Sequence, residues 1–351
     1  MSKDGRVPLS GIPVTISGLG TYLPETIVTN DDIAQVLDTS DDWIRQRTGI
    51  GERRIAAPGQ SSSDLGIPAA REAMEDAGIL PEQVDLVITA SISPDQIMPA
   101  TASRVAYEAG CTNAGAFDVL AGCTGFVYAL AMAAGAVASG LHQNVLVVGA
   151  EAISRIIDQT DRSTAILFGD GAGAAMVTAA APGERGILGF DLGNDGAGGC
   201  SLNVPAGGSR IPASHETVDR HLHFMHMNGS EVYKFATRVV ALSARRVLEK
   251  CDLSVDDIDL FVPHQANIRI IESAAAKLGL APDKAYTNLQ RYGNTSCASI
   301  PLCLSEARAE GRLKPGDTVL LMGFGSGLTW GACLMEWGGG AGGRGHDGDD
   351  D

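Results

Sequence analysis

Positive charge is scarce in this chain. Lys and Arg number 26 against 42 Asp and Glu, a formal net charge of −16. Nucleic acid and anionic membrane are attracted by positive surfaces, so neither is expected as a general partner. A local basic patch for a phosphorylated ligand is compatible with that balance. Aromatics are also few, at 5%, while glycine reaches 44 residues. The core must then be built from Ala, Val, Leu and Ile with close backbone contacts. No apolar run nears the roughly 20 residues of a membrane span. Met1 to Val7 is charged and has no apolar stretch, so no signal peptide is expected. The seven cysteines (Cys111, Cys123, Cys200, Cys251, Cys297, Cys303 and Cys333) are odd in number and contain no CxxC pair. Reduced thiols of a cytoplasmic protein fit better than a disulfide frame or a zinc ribbon.

Several familiar motifs are missing. Phe168-Gly169-Asp170-Gly171-Ala172-Gly173 is glycine-rich but lacks GxGxxG spacing, so it reads as a strand–turn with close packing. Gly325-Ser326-Gly327 is not a GxSxG elbow, which disfavours serine hydrolase chemistry. His221, His223 and His226 cluster without an accompanying carboxylate or Cys ligand pattern, so no metal site is expected.

What is present is a repeat. Ala70-Arg71-Glu72 before Val84 to Ile88 matches Ala244-Arg245-Arg246 before Ile258 to Val262, and Val145 to Gly149 matches Val319 to Gly323. Both pairs are offset by 174 residues (70 to 244, 145 to 319). The same offset carries Cys123 onto Cys297. Each half reads as helix, buried strand, loop, small-residue helix and buried strand. Ser63 to Ala77 has apolar residues at helical spacing, with Gly78 as the stop. Leu86 to Ala90, Val145 to Gly149, Leu260 to Val262 and Val319 to Met322 are short apolar runs suited to strands covered on both faces. Alternating strands and helices imply an α/β architecture with a pseudo-twofold axis between the halves. The boundaries read 1–182 for the first half, 183–337 for the second, and 338–351 for a disordered Gly/Asp tail.

Three places carry chemistry. Cys123 lies in Ala121-Gly122-Cys123-Thr124-Gly125, just before an Ala-rich segment. A helix N-terminus lowers a thiol pKa through its dipole and unpaired N–H groups. Read alone, such a residue is more often a buried structural cysteine. His264 follows a short buried strand and Pro263, where it could act as base or as neutral donor to an oxyanion. Its bland alternative is a cap on nearby carbonyls. Asn294, in Gly-Asn-Thr-Ser, is an ordinary turn residue unless its amide donates to a carbonyl. A Cys, a His and an Asn drawn from the two halves suit chemistry on a thioester.

With these motifs the chain resembles the β-ketoacyl-acyl-carrier-protein synthase III family of the thiolase superfamily, from about Val14 to Trp337. Further markers are Asp38-Thr39-Ser40-Asp41-Asp42-Trp43-Ile44 with Arg47-Thr48-Gly49-Ile50, Thr160-Asp161-Arg162, Pro263-His264-Gln265-Ala266-Asn267 and Gly323-Phe324-Gly325. The resemblance implies a five-layer αβαβα sandwich of two duplicated halves, as a homodimer with no cofactor. It implies an acyl-CoA primer condensed with malonyl-acyl-carrier protein, initiating fatty acid synthesis. Cys123 would be the nucleophile, and His264 with Asn294 would stabilise the enolate left by decarboxylation. Backbone N–H groups of Cys123 and Ser326 would form the second oxyanion hole, although the family often has Gly at the latter place. Trp43 and Arg162 would flank the CoA adenine, with Thr39, Arg47, Gly229 and Asn267 along the CoA channel. Met98, from across the dimer, and Phe324 would bound the acyl pocket. Lys234, Arg269 and Lys277 would dock the carrier protein. A polyketide-priming ketosynthase or acyltransferase of the same family stays open, as does a non-catalytic carrier-binding subunit, which would lack the nucleophile.

Overall fold

The computed structural model describes residues 11–338; Met1 to Val7 and the Gly/Asp tail beyond Gly338 lie outside them. The short apolar runs form two mixed sheets. The first runs in the order Val14–Tyr22, Gly171–Ala179, Val145–Glu151, Leu86–Ala90, Gly115–Val119. The second runs Ile187–Asn194, Thr329–Glu336, Thr318–Gly325, Leu260–Pro263. The pairing has the same sense in both: two antiparallel pairs and then a parallel one. The last strand of the first sheet has only a single bridge, Phe261 to Ala285, as its counterpart. The 174-residue offset is therefore a structural repeat.

Helices Gly125–Ala138 and Ser299–Ala309 share one apolar core with a face of each sheet: Val145, Val147, Val177, Val262, Val319 and Leu321 meet Phe126, Leu130, Ile300 and Leu304. The opposite face of the first sheet packs on Ser62–Ala77 and Thr101–Ala109. That of the second packs on Gly229–Lys250 and Ile268–Leu278. Residues alternate between faces along each strand, so a continuous apolar run is what a strand covered on both sides requires. This is the αβαβα sandwich. Helix Ser62–Ala77 starts at a Ser61–Asp64 capping box and stops at Gly78, φ +66°. No helix among the described residues is long and apolar enough to cross a membrane.

The scarcity of aromatics has a local cause. A Cβ on Gly20 would lie 2.1 Å from the Ala69 carbonyl oxygen, so helix and strand pack backbone on backbone. Gly149 does the same between the halves, where a Cβ would sit 2.3 Å from the Cys297 oxygen. Gly149→Ala should cost about 1–3 kcal/mol through overpacking. Urea unfolding checks it by a lower midpoint at unchanged slope. Gly135→Ala is the control: this helical glycine has nothing within 4 Å of its missing Cβ. That change should raise stability by about 0.5–1 kcal/mol.

Candidate active site

Cys123 sits at the start of the central helix Gly125–Ala138, one residue before its N-cap Thr124. Gly122 takes φ +59°, and a Cβ there would lie 2.4 Å from the Ser326 carbonyl oxygen. A Cβ on Gly325 would lie 2.5 Å from the Cys123 nitrogen. The nucleophile-bearing turn of one half and the Gly325–Gly327 turn of the other are thus in direct backbone contact. Neither the Cys123 nor the Ser326 N–H reaches a backbone acceptor among the described residues. Ser326 Oγ donates to the Leu202 carbonyl at 2.8 Å, which gives this side chain its room.

His264 follows strand Leu260–Pro263, and its backbone N–H donates to the Met322 oxygen at 2.7 Å. Its ring meets Phe324 edge-on, centroids 5.3 Å apart. Nδ1 lies 2.7 Å from Ser299 Oγ, so Nε2 is the nitrogen left for the cavity. Asn294 is pinned by two backbone bonds, its N–H to the Leu167 oxygen and its carbonyl from the Gly169 N–H. Its Oδ1 accepts from the Ser296 N–H at 2.9 Å, which leaves the amide NH2 as a donor.

These three residues line one cavity of about 480 Å³. Its walls are mainly apolar, among them Ile92, Ile156, Leu202, Met225, Val232 and Phe324. No Asp, Glu, Lys or Arg is among the described residues that line it. Low dielectric then controls the titrations. Burial pushes the Cys123 thiol up to about 12, against a pull downward from the Ser296 hydroxyl; the Glu151 carboxylate nearby raises it further. The helix N-terminus alone predicts a lowered thiol; burial outweighs it, so the resting group is a thiol. Burial also depresses His264 to about 3.

Gly229, Asn267, Phe324 and Ser326 also line this cavity. Asn267 caps helix Ile268–Leu278 and donates to the Arg47 carbonyl at 3.1 Å. Trp43, Arg47 and Arg162 lie outside it, with the two guanidiniums 5.6 and 5.0 Å from the Trp43 ring centroid. Thr39 Oγ1 is buried without a partner among the described residues. Met98 does not line the cavity of its own chain and is 82% exposed. Lys234 pairs with Glu231 at 2.9 Å. Arg269 reaches the Gln46 oxygen and Lys277 the Thr237 oxygen, so these two side chains on one helix turn toward different neighbours. The histidine cluster separates: His221 pairs with Asp158, His223 lies 2.9 Å from Thr217 Oγ1, and His226 bonds the His221 carbonyl. Sequence reasoning missed Ser296, Ser299 and Glu151. A charge ending the buried run Val145 to Glu151 was the one available signal.

A depressed histidine pKa has a fixed sign of consequence. The unfolded chain binds a proton near 6.5 that the fold refuses until about 3, so His264 withdraws stability as pH falls through that window. In NMR the His264 ring should keep its neutral shifts from pH 8 down to 4. A midpoint near 6.5 would show a ring open to water.

Known proteins resemble this chain in sequence and in fold. The family model for 3-oxoacyl-[acyl-carrier-protein] synthase III matches residues 117–196, and the model for its C-terminal part matches 248–337. The β-ketoacyl-[acyl-carrier-protein] synthase III of Symbiobacterium thermophilum is 55% identical over 93% of this chain and 98% of that protein. The crystal structure of the Thermus thermophilus synthase III superposes with a TM-score of 0.85 at 47% identity, covering 93% of this chain and 99% of that one. The priming β-ketosynthase of the R1128 polyketide pathway does so at 0.86 and 36%, covering 95% and 98%. This protein, an acyltransferase, belongs to the 3-oxoacyl-[acyl-carrier-protein] synthase III family.

Proposed function

We propose that this enzyme condenses a short acyl-CoA primer with malonyl-acyl-carrier protein, releasing CoA and CO2 and initiating fatty acid synthesis. One observation carries the reading: Cys123, His264 and Asn294 face a single cavity without charged walls. Cys123 sulfur attacks the thioester carbonyl, and its proton ends on the departing CoA sulfur. The Cys123 and Ser326 N–H groups hold the oxyanion. In the second half-reaction the malonyl carboxylate enters a site that offers it no cation, which favours its loss as CO2. The enolate oxygen accepts from the Asn294 amide and from His264 Nε2. Ser299 has one hydroxyl hydrogen, shared between the Ser296 carbonyl and His264 Nδ1; when it turns to Nδ1, Nε2 carries the ring's own. The enolate carbon then attacks acyl-Cys123, and the β-ketoacyl product leaves on the carrier. A nucleophile and neutral donors suffice for these steps, and no cofactor is called for.

The Trp43 ring with Arg162 and Arg47 is suited to a purine and its phosphates, with Thr39 Oγ1 as a spare hydroxyl and Gly229 and Asn267 along the way inward. Lys234, Arg269 and Lys277 supply positive charge for an acidic carrier. Edge strand Gly115–Val119 and its surroundings expose Phe117, Leu120, Ile97 and Met98, which supports a second copy covering this edge and Met98 reaching the partner's acyl pocket. Seven free thiols suit the reducing cytoplasm. Priming of a polyketide pathway uses the same acyl-Cys123 step, and the likeness to a priming ketosynthase keeps it as the second reading. An acyl-CoA panel separates the two.

Intact-mass analysis after acetyl-CoA tests the assignment. The wild type should gain one acyl group and Cys123→Ala none. Asn294→Ala and His264→Ala should still gain it, while condensation falls by about 10²–10³-fold, the usual cost of a lost oxyanion donor. Acyl mass retained on Cys123→Ala would reject the nucleophile.

A further inference from the structure

Ser296 is fully buried and has φ +47°. Among the described residues only two other non-glycine residues have positive φ, His221 and Asp252, and both are exposed. A buried serine holds this strained conformation only where its surroundings impose it. The surroundings are the site itself. The Ser296 N–H donates to Asn294 Oδ1 at 2.9 Å. Ser299 Oγ lies 2.8 Å from the Ser296 carbonyl oxygen and 2.7 Å from His264 Nδ1, with one hydrogen to give to either. One residue on, the Cys297 N–H donates to the buried Glu151 carboxylate at 3.3 Å. The same carboxylate takes the Ile92 N–H at 3.1 Å and Ser93 Oγ at 2.6 Å, so the turn is clamped to the segment that brings Ile92 to the cavity. A right-handed φ at Ser296 would turn its N–H and its carbonyl away from these partners.

We propose that Ser296 is a positioning residue for the whole site: its N–H aims the Asn294 carboxamide, and its carbonyl seats the Ser299 hydroxyl beside His264. The left-handed turn orients the two enolate donors from a single residue. This rests on the roles given above to Cys123, His264 and Asn294.

Two variants of the full chain test it. Ser299→Ala removes the link to His264 and leaves the turn. Ser296→Val puts a β-branched side chain at a positive φ and so strains the turn itself. Acyl uptake from acetyl-CoA is followed by mass as a function of pH, and CO2 release from malonyl-carrier protein is followed in parallel. Ser299→Ala should lower the ratio of CO2 release to acyl uptake by about 10²-fold, the effect of a catalytic group misplaced by about 1 Å. Ser296→Val should lower the same ratio, because both enolate donors hang on the turn it strains. Equal loss of both half-reactions in Ser299→Ala, or an unchanged ratio in a Ser296→Val enzyme that still takes up acyl, overturns the proposal. A wild type that takes up no acyl group would instead remove the underlying function.

Discussion

Everything at the centre of this protein depends on backbones touching where two halves meet. Gly122 lies on Ser326, Gly325 on Cys123, and Gly149 on Cys297, each with no room for a methyl group. Side chains at those points would push the turns apart and open the site. The glycine content and the shortage of aromatics are therefore one fact seen twice. A junction this thin needs small residues on both sides, and the bulk of the core is moved into the layers outside it.

Burial follows from that closeness and sets the chemistry. With water excluded and no charged wall, a charged form is disfavoured on every group that faces the cavity. Cys123 rests as a thiol and His264 as a neutral ring, which are the forms that can give or share a proton without first losing one. Charge then develops only during reaction, beside donors already fixed in place. Glu151 is buried beside the cavity rather than in its wall, burial raises its carboxyl as well, and its own set of donors ties it to the turn.

Much of the fold was legible because duplication writes the same pattern twice. The offset of 174 placed strands, central helices and Cys297 correctly, since buried strands and small-residue helices leave strong local signals. The roles of Cys123, His264 and Asn294 came mainly from resemblance, as a cysteine, a histidine and an asparagine are each commonplace. Their convergence on one cavity could not be read from spacing. Ser296 and Ser299 were invisible for a physical reason: serine is unremarked in any turn, and its function here lies in a backbone angle and a hydroxyl direction. The basic residues show the converse, since Arg269 and Lys277 share a helix yet bond to different neighbours.

Cys297 is the symmetry mate of the reactive cysteine, at the head of the matching helix, and its sulfur donates to the Gly122 oxygen at 3.2 Å. The copy without the reactive role thus props the turn of the copy that has it. The size of Cys297 is fixed by what surrounds it, since a Cβ on Gly125 would already lie 2.8 Å from the Cys297 sulfur, which leaves a bulkier side chain nowhere to go.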